Sequence, residues 1–321
     1  MHRFNLQFRK YILLWAFLSM VVGYLAGKFN PQRVDSLKGL VTPLLFLMVF
    51  IMLFPTDLSS LLKLKLYSFP ILVSFMLSIL SPVLGIIVSR IIPLKFLFLK
   101  TGIVISSTVP PNAMLSAWTA FLEGDVLLTF IIQSFTFVYY LFLVPFGLKL
   151  LLVNHPYFSL IILVKNLFFL IVVPLVLAGC LRLIFRDVLT GRVVERLKPH
   201  LSTASGIIEL FIIMISIALR APIIAENPII ILWGVFTAAL FYASAFIAAF
   251  YITKLFRFDY PVSVPLIYQN GSKNLPIAMV ITITTFEHRA ILGVAACILA
   301  QFPISALFYS IISRAQRSSL S

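Results

Sequence analysis

The sequence predicts an all-α, polytopic membrane protein, and three observations carry that expectation. The chain of 321 residues is 61% hydrophobic and 11% charged, where a soluble chain carries roughly 25% charged residues. Its mean hydropathy is +1.10. About ten segments are long enough and apolar enough to cross a bilayer core, which takes about 20 apolar residues per helix. No stretch longer than about 20 residues is polar enough to form a separate soluble domain.

The elements follow in order. The basic start, through Arg9-Lys10, runs directly into an apolar segment at 11–27 with no clear small-residue cleavage site, so the run reads as a first membrane helix and not a leader. Further spans are expected at 37–54, 67–93, 96–122, 126–150, 167–186, 203–220, 228–253, 262–286 and 290–313. His155 to Asn166 reads as an interfacial lead-in to the sixth span, and Asp187 to Ser202 as a linker between the sixth and seventh. Glu123-Gly124-Asp125 reads as a turn at the membrane surface. The fourth and ninth spans are interrupted. The first interruption is Thr108-Val109-Pro110-Pro111-Asn112-Ala113-Met114 and the second is Gln269-Asn270-Gly271-Ser272-Lys273-Asn274-Leu275-Pro276.

The two halves overlay. Spans three and eight, the two interruptions, and spans five and ten all lie about 160 residues apart. Five helices per repeat is an odd number, so the second repeat enters the membrane from the opposite side. The expected organisation is therefore 1–153 as a first five-helix repeat and 154–321 as a second, inverted one, with the boundary near Asn154. Segments on one side of the membrane, with flanking Arg182, Arg186, Arg314 and Arg317, hold about 14 of the 25 Lys and Arg residues. That bias places a multi-pass protein in the cell membrane with both termini cytoplasmic.

The net charge of +15 would suggest nucleic acid in a soluble chain. Here the basic residues sit mostly between apolar segments and set topology, so nucleic acid is not an expected partner; the lipid bilayer is. Cys180 and Cys297 lie in apolar segments and offer neither a disulfide framework nor metal-ligand spacing. His2, His155, His200 and His288 sit outside or at the edges of spans. No catalytic constellation, metal site, cofactor motif or phosphate-binding glycine loop is visible, so any concentrative transport would draw on an ion gradient.

The polar residues inside the spans define the candidate site. Paired interruptions in two halves mark where a secondary transporter binds its cargo. Lys273 lies in the second one, where a lysine at mid-bilayer costs about 2.5–3.5 kcal/mol and usually pairs or lines a pathway. Three readings stand: it binds an anionic substrate, it is a protonatable coupling residue, or its ammonium permanently fills a cation site. The plain structural alternative is a lysine reaching along its helix to water. Glu209 is the one acid well inside a span; it either neutralises Lys273 or carries a proton, or it faces the headgroups. Asn112, Asn270 and Asn274 offer amide groups at the interruptions, where half-helix ends also leave backbone groups unpaired. Thr129, Gln133 and Thr136 share one helical face, either lining a cavity or bonding neighbouring helices. Ser106, Ser107 and Thr108 carry the same two readings, and Trp15 and Trp118 are either interfacial or packed.

Pro110-Pro111-Asn112-Ala113-Met114-Leu115-Ser116-Ala117-Trp118-Thr119, followed by Glu123-Gly124-Asp125, resembles the fourth-helix signature of the arsenite-permease family. Gly271-Ser272-Lys273-Asn274-Leu275-Pro276-Ile277-Ala278 resembles the ninth-helix signature of the bile acid:sodium symporter family. These related families share ten helices in two inverted repeats, with helices four and nine broken and crossing, so the resemblance covers essentially the whole chain. It implies a secondary transporter working by alternating access. The departures are specific. Arsenite permeases carry a cysteine where this chain has Pro111, and a glutamate where it has Asn274. The symporters carry a glutamate at Gln269, a glutamine at Lys273 and a Ser-Asn pair at Leu115-Ser116; their helix-five hydroxyls align with Thr129 and Gln133.

The expectation is a carrier of a small organic anion. Asn112, Ser116, Asn270, Lys273 and Asn274 would form the substrate site. Lys273, Glu209, Thr129, Gln133 and Gln269 would take the coupling role, with protons as one partner and sodium an open one. An arsenite or antimonite efflux permease, with a metalloid substrate, is the alternative. A non-transporting sensor or scaffold is a further one.

Overall fold

A computed structural model describes residues 11–54, 67–112, 114–152, 160–185, 191–226, 228–286 and 288–320. The helices in chain order are α1 (Ile12–Phe29), α2 (Pro31–Ser36), α3 (Val41–Leu53), α4 (Ser68–Ser89), α5 (Leu97–Ser107), α6 (Met114–Phe121), α7 (Val126–Leu152) and α8 (Leu160–Leu167). They continue with α9 (Val173–Ile184), α10 (Gly191–Ala218), α11 (Ala221–Glu226), α12 (Ile229–Leu255), α13 (Tyr260–Gly271), α14 (Leu275–Thr285) and α15 (Ile291–Leu320). Among the described residues there is no β-strand, and one isolated antiparallel bridge joins Pro111 to Lys273. Among the described residues five helical stretches are long and apolar enough to cross a membrane: Pro31–Ile51, Ser68–Ser89, Val126–Lys149, Ile229–Leu255 and Ile291–Arg314.

Two expectations change. Residues 191–202, expected as part of a linker, form the first three turns of α10. That segment lacks an internal proline until Pro199 and is rich in helix formers such as Arg192, Glu195 and Leu197, so a helix of 28 residues reaches about 42 Å, beyond a 30 Å core. The expected lead-in to span six is also helical from Leu160 onward, running through a π turn at Phe168–Val172 into α9 without a break. The expected repeat boundary near Asn154 lies outside the described residues.

The chain divides into two compact units. The first comprises Met1–Thr56, Ser159–Ile229 and Met279–Thr285. Within it α10 packs on α1 and α3, and α9 packs on α3. Gly23 and Gly27 lie one turn apart on α1, and a Cβ at either would strike the backbone carbonyl of Met214 or Ala218 on α10. Small residues at this spacing let two helix backbones approach closely, the main source of packing where lipid is as apolar as the side chains.

The second unit comprises Asp57–Phe158, Ile230–Ala278 and Phe286–Ser321, and it holds both interruptions. Here α5 packs on α4 and α15, while α13 packs on α4, α6, α7 and α15. Its core includes Leu77, Leu115, Leu128, Phe246, Leu266 and Tyr268. Two reversals feed the broken segments and their successors. Glu123 (φ 54°) and Arg257 (φ 53°) both adopt the left-handed conformation, uncommon for residues with a Cβ. Each is followed two residues later by an aspartate. Asp125 accepts the Leu128 N–H at 2.9 Å and so caps α7. Its other oxygen accepts the Tyr67 hydroxyl at 2.7 Å, and its N–H donates to Pro261 O at 2.8 Å. The expected turn at 123–125 is thus a joint between α4, α7 and α13.

Candidate functional site

The two interruptions meet, and the backbone explains how they persist. Pro110 and Pro111 carry no N–H and push their preceding residues out of helical geometry, so α5 stops at Ser107. In the second segment α13 stops at Gly271, which lies against the Phe246 ring where no Cβ would fit. Each stop leaves N–H and C=O groups without helical partners. They find one another instead. Asn112 N–H donates to Ser272 O at 2.8 Å, and Asn274 N–H donates to Pro110 O at 2.8 Å. This reciprocal pair is the antiparallel bridge between Pro111 and Lys273.

Each half-helix beyond its break starts on an asparagine. Asn112 Oδ1 accepts the Met114 N–H at 3.1 Å, at the head of α6. Asn274 Oδ1 accepts the Ile277 N–H at 3.4 Å, at the head of α14. Pro276 stands in the first turn of α14, where a missing N–H costs nothing. A glutamine props each break from a neighbouring helix. Gln133 Nε2 on α7 donates to Asn112 O at 3.0 Å. Gln301 Oε1 on α15 accepts the Lys273 N–H at 2.9 Å.

Lys273 is fully buried. Its Nζ donates to Tyr140 Oη on α7 at 3.3 Å and lies 5.7 Å from the centroid of that ring, inside cation–π range. An ammonium has three donors, and Tyr140 takes one. No carboxylate pairs with Lys273 among the described residues. Tyr140 is itself buried and stacks on Tyr139 at 5.0 Å, whose hydroxyl shares a 2.5 Å hydrogen bond with Ser78.

The remaining expected site residues divide. Gln269 is fully engaged: its Nε2 donates to Ser74 O at 3.1 Å and its Oε1 accepts the Ser74 hydroxyl at 2.6 Å, fastening α13 to α4. Thr129 is buried, with its Oγ1 3.0 Å from both Thr119 Oγ1 and Asp125 O. It joins α7 to α6, the helix-bonding alternative. Thr136 bonds back to Gln133 O at 2.8 Å. Ser106, Ser107 and Thr108 likewise bond carbonyls three or four residues earlier on their own segment. Ser116 is half-buried on α6. Glu209 is half-buried on α10 in the first unit. Trp118 is packed, stacking on Tyr268 at 5.6 Å.

Asn270 is different. It is 1% exposed, yet among the described residues neither Oδ1 nor Nδ2 has a hydrogen-bond partner, and the buried hydroxyl of Ser272 has none either. Three participants escaped the sequence reading: Tyr140, Gln301 and Ser74. Gln301 had a usable signal, as an amide within an apolar span. Ser74, Ser78 and Ser81 also mark one face of α4 at spacings of four and three. Nothing in the sequence singles out Tyr140 among eleven tyrosines.

Comparison with known families adds one finding. The family model described as the Sodium Bile acid symporter family matches residues 42–227, a stretch that contains the first break, Gln133 and Tyr140. No curated protein matches the chain. With more than half of its length matched, the chain belongs to the sodium bile acid symporter family.

Proposed function

We propose that this protein is a secondary transporter that carries a small organic anion across the membrane by alternating access. Its family transports rather than catalyses, and a small anionic substrate follows at the family level. The observation that carries the reading is Lys273. It is a fully buried lysine at the bridge between two breaks, and a neutral tyrosine hydroxyl is the partner of its Nζ. An unpaired buried cation is costly. A bound anion would compensate it.

In this reading ten spans form two inverted five-helix repeats, with both termini cytoplasmic. The matching construction of the breaks supports that symmetry: an asparagine cap, a glutamine prop and one half of a reciprocal backbone bond on each side. Asn112 and Asn274 shape the breaks, and Lys273 with Asn270 and Ser116 receives the substrate. The ammonium of Lys273 replaces a sodium ion as the local positive charge. Gln269, standing where the symporters carry a glutamate, is neutral and engaged with Ser74, which supports a site that does not gather cations. Glu209 is assigned a proton-carrying role in the other unit. Neither interruption contains a cysteine, so no observation favours a thiol route for arsenite.

The test is uptake into proteoliposomes under imposed sodium or proton gradients, for the parent chain and Lys273→Gln, with small organic acids, bile salts and arsenite as substrates. The expected result is uptake of an organic acid by the parent without sodium, and its loss or a new sodium dependence in Lys273→Gln. A parent that requires sodium, with Lys273→Gln indistinguishable from it, overturns the reading.

A further inference from the structure

Among the described residues nothing satisfies the Asn270 side chain. A buried carboxamide offers two donors and an acceptor, and leaving them unmatched is expensive enough that native interiors rarely do so. Other buried hydroxyls without a partner occur in the same unit, at Thr237, Tyr242, Tyr260 and Ser305. Thr237 and Ser305 sit on intact helices, where a hydroxyl can turn onto the carbonyl one turn back. Tyr242 and Tyr260 each carry one rotating hydroxyl. A carboxamide has no such escape, and among the described residues Asn270 is the carboxamide with both its oxygen and its nitrogen unmatched.

Its neighbours narrow the explanation. Gln269 is held by Ser74 on both amide atoms. Gly271 lies against Phe246. The Lys273 N–H is held by Gln301. Asn274 begins α14. What the second break leaves unmatched is the Asn270 amide, the Ser272 hydroxyl and two donors of the Lys273 ammonium. The three residues lie within four positions, so their Cα atoms span at most about 11 Å.

Resting on the anion reading above, we propose that Asn270 and Ser272 form a neutral hydrogen-bonding subsite beside the Lys273 charge. The substrate class that fits is a small acid carrying a second, uncharged group that both donates and accepts, a hydroxyl or an amide. The negative group faces Lys273. The neutral group donates to Asn270 Oδ1 and accepts from Asn270 Nδ2 or the Ser272 hydroxyl. A site built to hydrogen-bond such a group rejects the analogue that lacks it, because its own buried groups are then left unmatched. Asn270 is on this argument a specificity-determining residue, while Lys273 sets the requirement for an anion.

The experiment is equilibrium binding to the full chain in lipid nanodiscs, using three matched pairs: glycolate and acetate, lactate and propionate, malate and succinate. At least one hydroxylated member should bind the parent about 10-fold or more tighter than its partner. In Asn270→Leu that ratio should fall to within about twofold, through weaker binding of the hydroxylated member. Ser272→Ala, a smaller change, should lower the same ratio about threefold, and it decides the matter if Asn270→Leu does not fold. Equal binding of both members to the parent means that a trapped water satisfies Asn270 and overturns the subsite while leaving the anion reading intact. A ratio that persists in both variants also overturns it. If no member of any pair binds the parent, the anion reading and the subsite fall together.

Discussion

The first break and the second are built alike and left in different states. Both begin the next half-helix on an asparagine, both are propped by a glutamine from a neighbouring helix, and each gives the other one backbone hydrogen bond. At the first break Asn112 is engaged through its N–H, its carbonyl and its side-chain oxygen. At the second, the framework is satisfied but Asn270, Ser272 and most of the Lys273 ammonium are not. On the reading proposed above, the same backbone solution serves two purposes. One break is scaffold. The other holds hydrogen-bonding capacity in reserve, which is what a binding site requires and what a folded interior otherwise avoids.

Replacing Lys273 tests that distinction most severely. Lys273→Met keeps the length of the side chain and removes the charge. Anion affinity should fall about 100-fold, since truncating one partner of a buried charged contact costs about 2–5 kcal/mol. Thermal stability of the unliganded protein should stay level or rise, because a buried charge without an ion partner is itself a burden. Asn112→Ala should show the opposite pattern, losing about 1 kcal/mol of stability with its cap and changing selectivity among anions little. Melting curves with and without a bound acid separate the two. If Lys273→Met melts well below the parent and binds normally, the second break is scaffold as well.

The two glutamine props sharpen the comparison at a smaller scale. Gln301→Leu strands the Lys273 N–H, which has that single acceptor among the described contacts. Gln133→Leu strands less, because Asn112 O still accepts the Leu115 N–H at 3.3 Å. The expected losses are about 2 kcal/mol for Gln301→Leu and about 1 kcal/mol for Gln133→Leu, following the asymmetry between an unmet donor and a carbonyl that keeps one partner. Denaturation in the same detergent gives both numbers. Equal losses would mean that the props are interchangeable and that the second break is not the more exacting one.

Much of this arrangement is legible in the amino-acid order. Pro-Pro-Asn breaks a helix and Gly-Ser-Lys-Asn weakens one, and they stand inside apolar runs where such residues need a reason. Their equal spacing from the neighbouring spans suggests that they correspond. What the order does not contain is partner choice. Gln133, Gln269 and Thr129 are all polar residues in spans, and they look equivalent until the packing of α4, α6 and α7 assigns each a partner. Asn270 and Asn274 are four residues apart and chemically identical, yet Asn274 caps a helix and Asn270 has no hydrogen-bond partner among the described residues. That difference depends on rotation about the end of α13, which is settled by Gly271 against Phe246 and by Gln269 on Ser74, contacts from residues far away in sequence. The helices expected to start at 167 and 203 start earlier, at Leu160 and Gly191, for a simpler reason: a helix does not stop where the bilayer does when its next residues are helix formers.

The smallest effect is expected at Thr129, and it bears on the same distinction from the other side. Its alignment with a symporter hydroxyl suggested a coupling role, but its hydroxyl is buried and already shared between Thr119 Oγ1 and Asp125 O. Thr119 in turn bonds Leu115 O at 2.9 Å, so neither neighbour depends on Thr129 alone. Thr129→Val keeps the shape and deletes the hydroxyl. Stability should fall by about 0.5–1 kcal/mol, the net worth of an ordinary buried hydrogen bond. Substrate uptake should remain within about twofold of the parent in every ion gradient, because an atom already bonded within the scaffold contributes equally to the loaded and empty states. Loss of uptake in a Thr129→Val protein that melts like the parent would mean that Thr129 leaves Thr119 during transport to hold an ion. Hydrogen bonds satisfied in one conformation would then be no guide to which residues do the work.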